Sequence, residues 1–222
     1  MSKILLDIET AGQDFETLDE ISKEYFLRFA KDEAEKEEIR NSLSFYPVTA
    51  QIVAIGMMDV ETKKSFVFFQ NGGSKEKFEE GSVTYVSGTE KEILANFWKL
   101  IEKATIFITF NGRVFDCPFI MLRSAINKMR ASRNLMPYRY AQSPHVDLYD
   151  QMTFFEAMRK RFSLEMWCKA FDIKSPKQEG IKGVQVKEFF DKGCYKDIAR
   201  YCARDLEATK ELYSYWENYL KF

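Results

Sequence analysis

The sequence predicts an α/β fold with a β-sheet flanked by helices, because apolar runs of strand length alternate with amphipathic segments of helical period. The apolar runs are concentrated in the first half of the chain and the helical segments in the second. A chain of 222 residues holds one sizeable core and hardly two, and it contains no internal repeat. We therefore predict a single domain over residues 1–222, with a helical insertion at about 14–44.

Six apolar runs predict the strands of the sheet. A polar turn at Asp59–Lys64 separates the second run from the third, so these two strands are expected to form an antiparallel hairpin. Asn71–Gly81 is expected to be a loop. The strands are predicted over Lys3–Ile8, Gln51–Met58, Ser65–Gln70, Val83–Val86, Thr105–Phe110 and Val146–Leu148.

Helical periodicity predicts the remaining elements. In the segment Asp14–Ser44 the apolar residues follow helical spacing, which predicts one or two amphipathic helices. Their charged side is expected to face solvent; the alternative is a lid or an arm that guides a substrate. The apolar residues in question are Phe15, Leu18, Ile21, Tyr25 and Phe29. Further helices are predicted from a Thr89 cap to Lys103, and over Phe115–Lys128, Tyr149–Arg159, Ser163–Phe171, Val184–Lys192 and Tyr195–Leu220.

The composition excludes several classes of protein. The net charge of −1 excludes a protein that coats nucleic acid by charge alone, although an acidic cation pocket offsets basic residues in this sum. The single histidine excludes a histidine-rich zinc site, and the four cysteines form no CxxC pair. No apolar run has the length of a transmembrane helix or the pattern of a signal peptide, which predicts a cytoplasmic location.

Two carboxylates end the first predicted strand. Asp7 and Glu9 are two residues apart, so on a strand their side chains point to the same face. Two acids on one face of a buried strand are costly unless a cation compensates their charge. The alternative is a strand that simply ends in polar residues.

Two further motifs carry polar side chains of the same kind. Asp116 follows another predicted strand after the turn signal Asn111-Gly112, although it would also serve as a helix N-cap. Tyr201 and Asp205 are four residues apart on the last predicted helix and share a face, although Tyr201 alone also fits a core tyrosine. Hard divalent cations prefer oxygen ligands, and two such ions ~3.5–4 Å apart stabilise in-line phosphoryl displacement.

The three motifs occur in the order Asp-x-Glu, Asn-Gly-x-x-Phe-Asp and Tyr-x-x-x-Asp. In this order they resemble the DEDD superfamily of 3′–5′ exonucleases. The tyrosine resembles that of the DEDDy branch, which includes the proofreading domains of family B DNA polymerases. The chain looks most similar to the free-standing predicted exonucleases related to that polymerase domain. The resemblance spans nearly the whole chain except Asp14–Ser44, and it rests on the segments LLDIET, FITFNGRVFDCPFI, FSLEMWCKAFDIK, GVQVKEFF and IARYCARDLEATKELY.

The resemblance implies a fold, a reaction and a set of site residues. The implied fold is ribonuclease H-like, with a mixed five-stranded sheet flanked by helices. The implied cofactors are two divalent metal ions, Mg²⁺ or Mn²⁺, with Tyr201 orienting the attacking water. The implied metal ligands are Asp7, Glu9, Asp116 and Asp205. The implied contacts with the terminal nucleotides of the substrate are Thr10, Asn111 and Phe115.

The leading interpretation is a 3′–5′ exonuclease that hydrolyses single-stranded DNA by a two-metal-ion mechanism and releases nucleoside monophosphates. The expected partners are nucleic acid 3′ ends, together with a polymerase or repair protein in trans, and no membrane. A 3′–5′ exoribonuclease is the alternative within the same chemistry, since contacts with the 2′-OH decide between the two sugars. A non-catalytic nucleic-acid-binding module is the alternative from another class, but the presence of all four acids argues against it.

Three other features lie outside these motifs. His145 is expected to be structural rather than a substrate contact. Asp147 is expected either to support the metal ligands or to cap the following helix. The residues Lys128–Arg133 and Arg139, interleaved with Tyr138 and Tyr140, are a candidate basic and aromatic surface for a single strand, or else an ordinary solvated loop.

Overall fold

A seven-stranded sheet forms the centre of the computed structural model, which describes residues 2–141, 143–158, 160–175 and 183–221. The strands are β1 (Lys3–Gly12), β2 (Ala50–Asp59), β3 (Ser65–Phe69), β4 (Lys77–Glu80), β5 (Val83–Ser87), β6 (Ile106–Thr109) and β7 (His145–Asp147). Their order across the sheet is β4-β5-β3-β2-β1-β6-β7. Strand β1 therefore lies inside the sheet, with neighbours on both sides.

The sheet is mixed, as predicted. Strand β1 is antiparallel to β2 and parallel to β6, and β2 and β3 form the predicted antiparallel hairpin. The sheet has seven strands, whereas the apolar runs predict six and the resemblance implies five. The predicted strand β5 pairs parallel to β3, and the additional strand β4 pairs antiparallel to β5. Strand β4 lies within the predicted loop Asn71–Gly81, and its short polar sequence KFEE carries no apolar alternation that would predict a strand.

Eight helices lie in the part of the chain that the structure describes. They are α1 (Glu20–Leu27), α2 (Glu33–Ser42), α3 (Glu90–Ile101), α4 (Asp116–Ile126), α5 (Leu148–Met152), α6 (Leu164–Ala170), α7 (Val186–Asp191) and α8 (Tyr195–Tyr219). The predicted cap of α3 is confirmed, since Thr89 and Glu92 form a reciprocal capping box. None of the described helices is both long enough and apolar enough to cross a membrane.

The two faces of β1 pack against different helices. Leu6 and Ile8 belong to the cluster of buried residues that includes Phe97 of α3 and Ile120 of α4. Leu5 belongs to the cluster that includes Leu206 of α8, on the opposite side of the sheet. Because strand side chains alternate between faces, the odd-numbered residues of β1, which include both acids, point towards α8.

The helix predicted over Tyr149–Arg159 is wrong beyond its first turns. Helix α5 ends at Met152, and three successive residues, Phe154, Phe155 and Glu156, have positive φ angles of 50°, 55° and 69°. The reversal is held by a backbone hydrogen bond of 2.6 Å from Phe155 N to Asp150 O. The end of the predicted helix, at residue 159, lies outside the described residues.

Residues 14–44, the expected insertion, form two helices where one or two are predicted, but they do not form the predicted apolar face. Asp19 and Asp32 cap α1 and α2 by accepting hydrogen bonds from backbone N–H groups. Phe15 is buried in a short 3₁₀ turn before α1, whereas Ile21 is 82% exposed and Phe29 is 77% exposed. The helical spacing of these apolar residues therefore does not reflect a common buried side.

A glycine on β2 sets the distance between the sheet and α8. Gly56 pairs with Asp7, and a Cβ atom at this position would lie 2.8 Å from Cys202 Sγ and 2.8 Å from Leu206 Cδ1. Real side chains do not pack this closely, so a residue with a Cβ would force Cys202 and Leu206, or α8 as a whole, to shift. The contact therefore fixes how closely α8 approaches the acids of β1.

We predict that Gly56→Ala lowers the free energy of unfolding by about 1–3 kcal/mol, because the added methyl group overpacks the interface with α8. Denaturant unfolding measures the change. Gly81→Ala is the control, since its added Cβ meets nothing within 4 Å and reports only the strain of a φ of 59°. A smaller loss for Gly56→Ala than for Gly81→Ala would contradict the prediction.

Candidate active site

The first part of the site is the pair of acids on β1. Glu9 is buried and Asp7 is half-buried. The pairing register between β1 and β2 shifts between Glu9 and Thr10, and irregularities of this kind redirect side chains at the end of a strand. Cys202 Sγ of α8 lies 3.8 Å from Asp7 Oδ2. Ligand atoms of Asp7, Glu9 and Cys202 lie within 4.8 Å of one another.

The second part is Asp116, the first residue of α4. Its Oδ1 accepts a 3.0 Å hydrogen bond from the backbone N–H of Ile8, which fixes the carboxylate beside the two acids of β1. The alternative of a helix N-cap is wrong, because Phe115 occupies the cap position. The turn before it depends on Asn111, which has a φ of 60° and whose carbonyl accepts hydrogen bonds from Val114 N and Phe115 N.

Asp147 fixes this turn from the neighbouring strand β7. Its carboxylate accepts hydrogen bonds of 2.8, 2.8 and 3.0 Å from the backbone N–H groups of Asn111, Arg113 and Tyr149. The predicted helix cap is therefore confirmed, and the same side chain also holds the turn that leads to Asp116. Burial raises the pKa of Asp147 to about 6, despite these hydrogen bonds.

The third part lies on α8, where Tyr201 and Asp205 are one turn apart. Both side chains line a cleft of about 640 Å³ together with Asp7, Glu9 and Asp116. Tyr201 is buried, as expected for a core tyrosine, and it also borders this cleft. Residues from one strand and two helices, separated by up to 198 positions in the chain, thus meet at one opening.

The carboxylates repel one another and lie in surroundings that disfavour charge. Burial, followed by the nearby Asp205 and Asp116, raises the pKa of Asp7 well above its ordinary range. Burial, and then Asp7 and Asp205, does the same to the pKa of Glu9. Burial raises the pKa of Asp116 to about 7. An arrangement of this kind is stabilised by bound cations, which remove both the repulsion and the cost of burial.

The chemistry of the donor set fits a hard divalent cation. Asp7, Glu9, Asp116 and Asp205 offer carboxylate oxygens, which are the ligands that Mg²⁺ and Mn²⁺ prefer. Without a cation, burial and the adjacent Asp7 raise the pKa of the Cys202 thiol well above its ordinary value. Sulfur is a soft ligand, which hard cations such as Mg²⁺ do not favour, so we assign the donor set to the four carboxylates.

The residues implied to contact a substrate lie around the same opening. Asn111 and Phe115 line the cleft with the acids. Thr10 lines an adjoining cleft instead, and its hydroxyl donates a 2.7 Å hydrogen bond to the carbonyl of Ser44. The hydroxyl of Thr10 is therefore engaged within the protein. The roles assigned to these three residues stay predictions.

The sequence interpretation misses several residues that border the cleft, among them Phe45 and Arg161. Phe45, which follows the expected insertion, is 55% exposed and its ring lies 6.4 Å from that of Phe115 in an edge-to-face arrangement. Arg161 has a side chain that is 65% exposed and donates a 2.8 Å hydrogen bond to Glu156. Neither belongs to a motif, and their nearness to the acids depends on loops whose course the sequence does not specify.

Two of the four cationic residues of the predicted surface at 128–140, Arg133 and Arg139, are engaged in structural contacts, whereas Lys128 and Arg130 are exposed. Arg133 donates 3.2 Å hydrogen bonds to the carbonyls of Ile101 and Thr105 at the end of α3. Arg139 forms two hydrogen bonds, of 3.0 and 2.5 Å, with the Asp150 carboxylate. Both guanidinium groups therefore hold loops together. Tyr138 and Tyr140 are exposed, so the surface keeps its aromatic character together with the charge of Lys128 and Arg130.

His145 has a structural environment, as expected. It is buried on β7, its ring stacks on Phe107 with centroids 4.4 Å apart, and its Nε2 lies 2.9 Å from Thr109 Oγ1. Burial lowers the pKa of His145 to about 3, so the ring is neutral at physiological pH. A neutral ring packed inside the sheet contributes to the core rather than to the cleft.

Comparisons with known proteins identify a related family and a related fold. A family model described as "Predicted 3'-5' exonuclease related to the exonuclease domain of PolB" matches residues 44–219. That range contains Asp116, Tyr201 and Asp205, while Asp7 and Glu9 precede it. No curated protein sequence matches the chain.

Among solved structures, the fold is similar to that of the family B DNA polymerase from the hyperthermophilic archaeon Pyrobaculum calidifontis, with a TM-score of 0.60 and 14% sequence identity. The similarity covers 98% of this chain and 24% of the polymerase, so the chain spans about a quarter of its length. At this identity the likeness concerns the fold alone, and it confirms the predicted ribonuclease H-like α/β class.

We predict that in EDTA the free energy of unfolding falls as the pH rises from about 4 to about 7. The pKa of Asp116 is 3.8 ordinarily and about 7 in the folded protein, so in this window the folded state keeps a proton that the unfolded chain has released. Denaturant unfolding at several pH values measures the slope. Asp116→Asn is expected to flatten it, whereas Glu207→Gln, an exposed change on α8, is not. A wild-type stability that rises across this window would contradict the prediction.

Proposed function

The chain belongs to the family of predicted 3′–5′ exonucleases related to the exonuclease domain of PolB, and from that premise we propose that it is a metal-dependent 3′–5′ exonuclease. In this proposal it hydrolyses phosphodiesters of single-stranded DNA by a two-metal-ion mechanism and releases nucleoside monophosphates. The observation that carries the proposal is the meeting of four carboxylates, from β1, α4 and α8, in one cleft. Residues 1–222 would form a single exonuclease domain, with 14–44 as an insertion.

Asp7, Glu9, Asp116 and Asp205 would hold two divalent ions, Mg²⁺ or Mn²⁺. When bound, these ions would acidify the attacking water and neutralise the charge that develops on the phosphate. The raised pKa values of Asp7, Glu9 and Asp116 support this assignment, since such groups gain most from a cation.

Tyr201 would orient the attacking water from its place one turn before Asp205. Burial, followed by the nearby Asp205 and Glu9, raises the pKa of Tyr201, so its hydroxyl stays protonated. A protonated phenol donates one hydrogen bond and accepts others. Tyr201 would therefore position the water rather than remove its proton.

Asn111 and Phe115 would hold the terminal nucleotides, and the backbone of Thr10 would contact the 3′ end. Asn111 and Phe115 border the acids, and the turn that carries Asn111 is fixed by Asp147. Fixed positions of this kind support reaction by holding the substrate in the right orientation before the chemical step.

A single strand is the form of substrate that the cleft favours. Glu9 and Asp116 are 7% and 4% exposed, so the acids lie at the base of the cleft rather than on an open surface. A strand that is free of its complement can enter such a recess, while a paired end must first separate. An exoribonuclease remains the alternative, because the same chemistry serves both sugars. The proposed setting is the cytoplasm, with a polymerase or repair partner in trans.

We predict that the protein shortens 5′-labelled single-stranded DNA from its 3′ end in Mg²⁺ or Mn²⁺ and not in EDTA. Denaturing gels of DNA and RNA of equal sequence measure the ladder and the preferred sugar. Asp205→Asn is expected to lower the rate by at least about 100-fold, and Tyr201→Phe by about 10- to 100-fold, because each removes a group placed at the reaction centre. Glu207→Gln, on the same helix, is the control.

Cleavage that persists in EDTA, or an Asp205→Asn variant as active as the control, would overturn the proposed mechanism. Binding of both strands without any cleavage would favour a non-catalytic nucleic-acid-binding module instead.

We also predict that millimolar Mn²⁺ or Mg²⁺ raises the melting temperature, because cations relieve the repulsion among the acids. Thermal unfolding with and without the metal measures the gain. Asp7→Ala should reduce the gain, while Glu207→Gln should leave it unchanged. A melting temperature that does not respond to either metal would count against the cation site.

A further inference from the structure

Three aromatic side chains, Tyr138, Tyr140 and Phe155, form an aromatic row on the surface. The ring centroids of Tyr138 and Tyr140 lie 5.6 Å apart, and those of Tyr140 and Phe155 lie 4.9 Å apart. Tyr138 is 73% exposed and Tyr140 is 57% exposed, while Phe155 is half-buried. Single exposed rings are common on protein surfaces, but rings gathered in one patch indicate a surface that binds a partner.

Ion pairs join this aromatic row to the cleft that contains the acids. Glu156, the residue after Phe155, accepts a 2.8 Å hydrogen bond from Arg161, which lines that cleft. The same Glu156 carboxylate lies 3.4 Å from Nη2 of Arg139, which stands between the two tyrosines in the chain. A chain-like molecule bound at the acids can therefore continue past Arg161 onto the row.

The loop that carries the two tyrosines is held in place by other parts of the site. Arg113, in the turn that leads to Asp116, donates a 2.8 Å hydrogen bond to the carbonyl of Pro137. Arg139 forms its two hydrogen bonds with Asp150 of α5. Because these contacts fix the loop before a ligand arrives, little conformational entropy is lost when a flat group stacks on the rings.

The charge beside the row suits an anionic chain, although most of it is paired. Inside the cleft acids dominate, since Glu165 also lines it, and phosphates there depend on the cations of the proposed function. Beside the row, the ion-pair network joins three arginines to only two acids, Asp150 and Glu156, and exposed Lys160 adds a further cation. The three arginines are Arg113, Arg139 and Arg161. We therefore expect stacking to supply more of the affinity at the row than free charge does.

We propose that a single-stranded nucleic acid leaves the cleft past Arg161 and stacks upstream bases on Tyr138 and Tyr140. The proposal rests on the proposed function, and it assigns to the aromatic row the part of the strand that lies 5′ of the cleaved nucleotide. Every base has a face that stacks on an aromatic ring, so the row binds without sequence preference. A strand too short to reach the row is bound by the cleft alone.

The test compares two single-stranded DNA probes of equal length, about 12 nucleotides, that carry the same number of phosphates. One is oligo(dT), and the other keeps its bases only at the last few 3′ positions and is abasic upstream. Affinity is measured by fluorescence anisotropy in Ca²⁺, which takes oxygen ligands as Mg²⁺ does. We expect the wild type to bind oligo(dT) about 5- to 100-fold more tightly than the abasic probe, as the stacking of one base implies. A matching pair of RNA probes distinguishes the two sugars.

Changing Tyr138→Ala and Tyr140→Ala together should bring this ratio close to one and leave binding of the abasic probe unchanged, which also shows that the variant is folded. Tyr138→Trp with Tyr140→Trp keeps the aromatic surface and should retain the ratio. Tyr219→Ala is the matched control, at a 76%-exposed tyrosine of α8 whose ring contacts Tyr215 and does not line the cleft. Added salt should weaken both probes alike, because their phosphates are equal in number.

A ratio that the double alanine variant leaves intact, or a wild type that binds both probes of each sugar equally, would overturn the proposal. Cleavage of the same probes in Mg²⁺ tests the proposed function separately. The expected ratios without cleavage would reject the exonuclease and keep the binding surface. Cleavage with equal binding of both probes would reject the surface and keep the exonuclease.

Discussion

Repulsion among buried carboxylates is the constraint around which this structure is built. Asp7, Glu9, Asp116 and Asp205 lie close together, and burial together with neighbouring acids, Asp205 among them, disfavours the charge of the first three. The rest of the fold holds them together against that cost. The central strand β1 supplies two of them, the Ile8 N–H anchors the third, and the absence of a side chain at Gly56 lets α8 bring the fourth. Without a cation this arrangement lowers stability, which is the expected signature of a site shaped for ligand binding rather than for folding.

The sequence predicts those parts of the site that depend on local spacing. The period of two on a strand places Asp7 and Glu9 on one face, and a separation of four on a helix places Tyr201 and Asp205 on one face. Near Asn111 and Asp116, the apolar run Thr105–Phe110 predicts the strand, and the Asn111-Gly112 pair predicts the turn that leads to the helix. The α/β class and most helices follow in the same way, because each depends on residues close together in the chain.

The features that the sequence does not predict depend on residues far apart in the chain. Strand β4 exists because β5 offers it a partner, and its own sequence is that of a polar loop. The reversal after α5 depends on backbone contacts in a segment whose composition favours a helix. In the sequence, Gly56 is an ordinary small residue of a strand, and its role becomes visible only from its contact with α8. Phe45 lies in a 3₁₀ turn and Arg161 in a loop, and the sequence does not predict that either segment borders the cleft.

Two acids with similarly raised pKa values, Asp116 and Asp147, show why burial alone does not identify a reactive group. The carboxylate of Asp147 accepts hydrogen bonds from three backbone N–H groups that involve both of its oxygens, so most of its capacity is used within the protein. Asp116 accepts one from another residue, Ile8, and its side chain lines the cleft. Unused acceptor capacity directed at an opening, rather than the pKa itself, separates a ligand-binding acid from one that holds a turn. By that criterion Asp147 supports the site and Asp116 belongs to it.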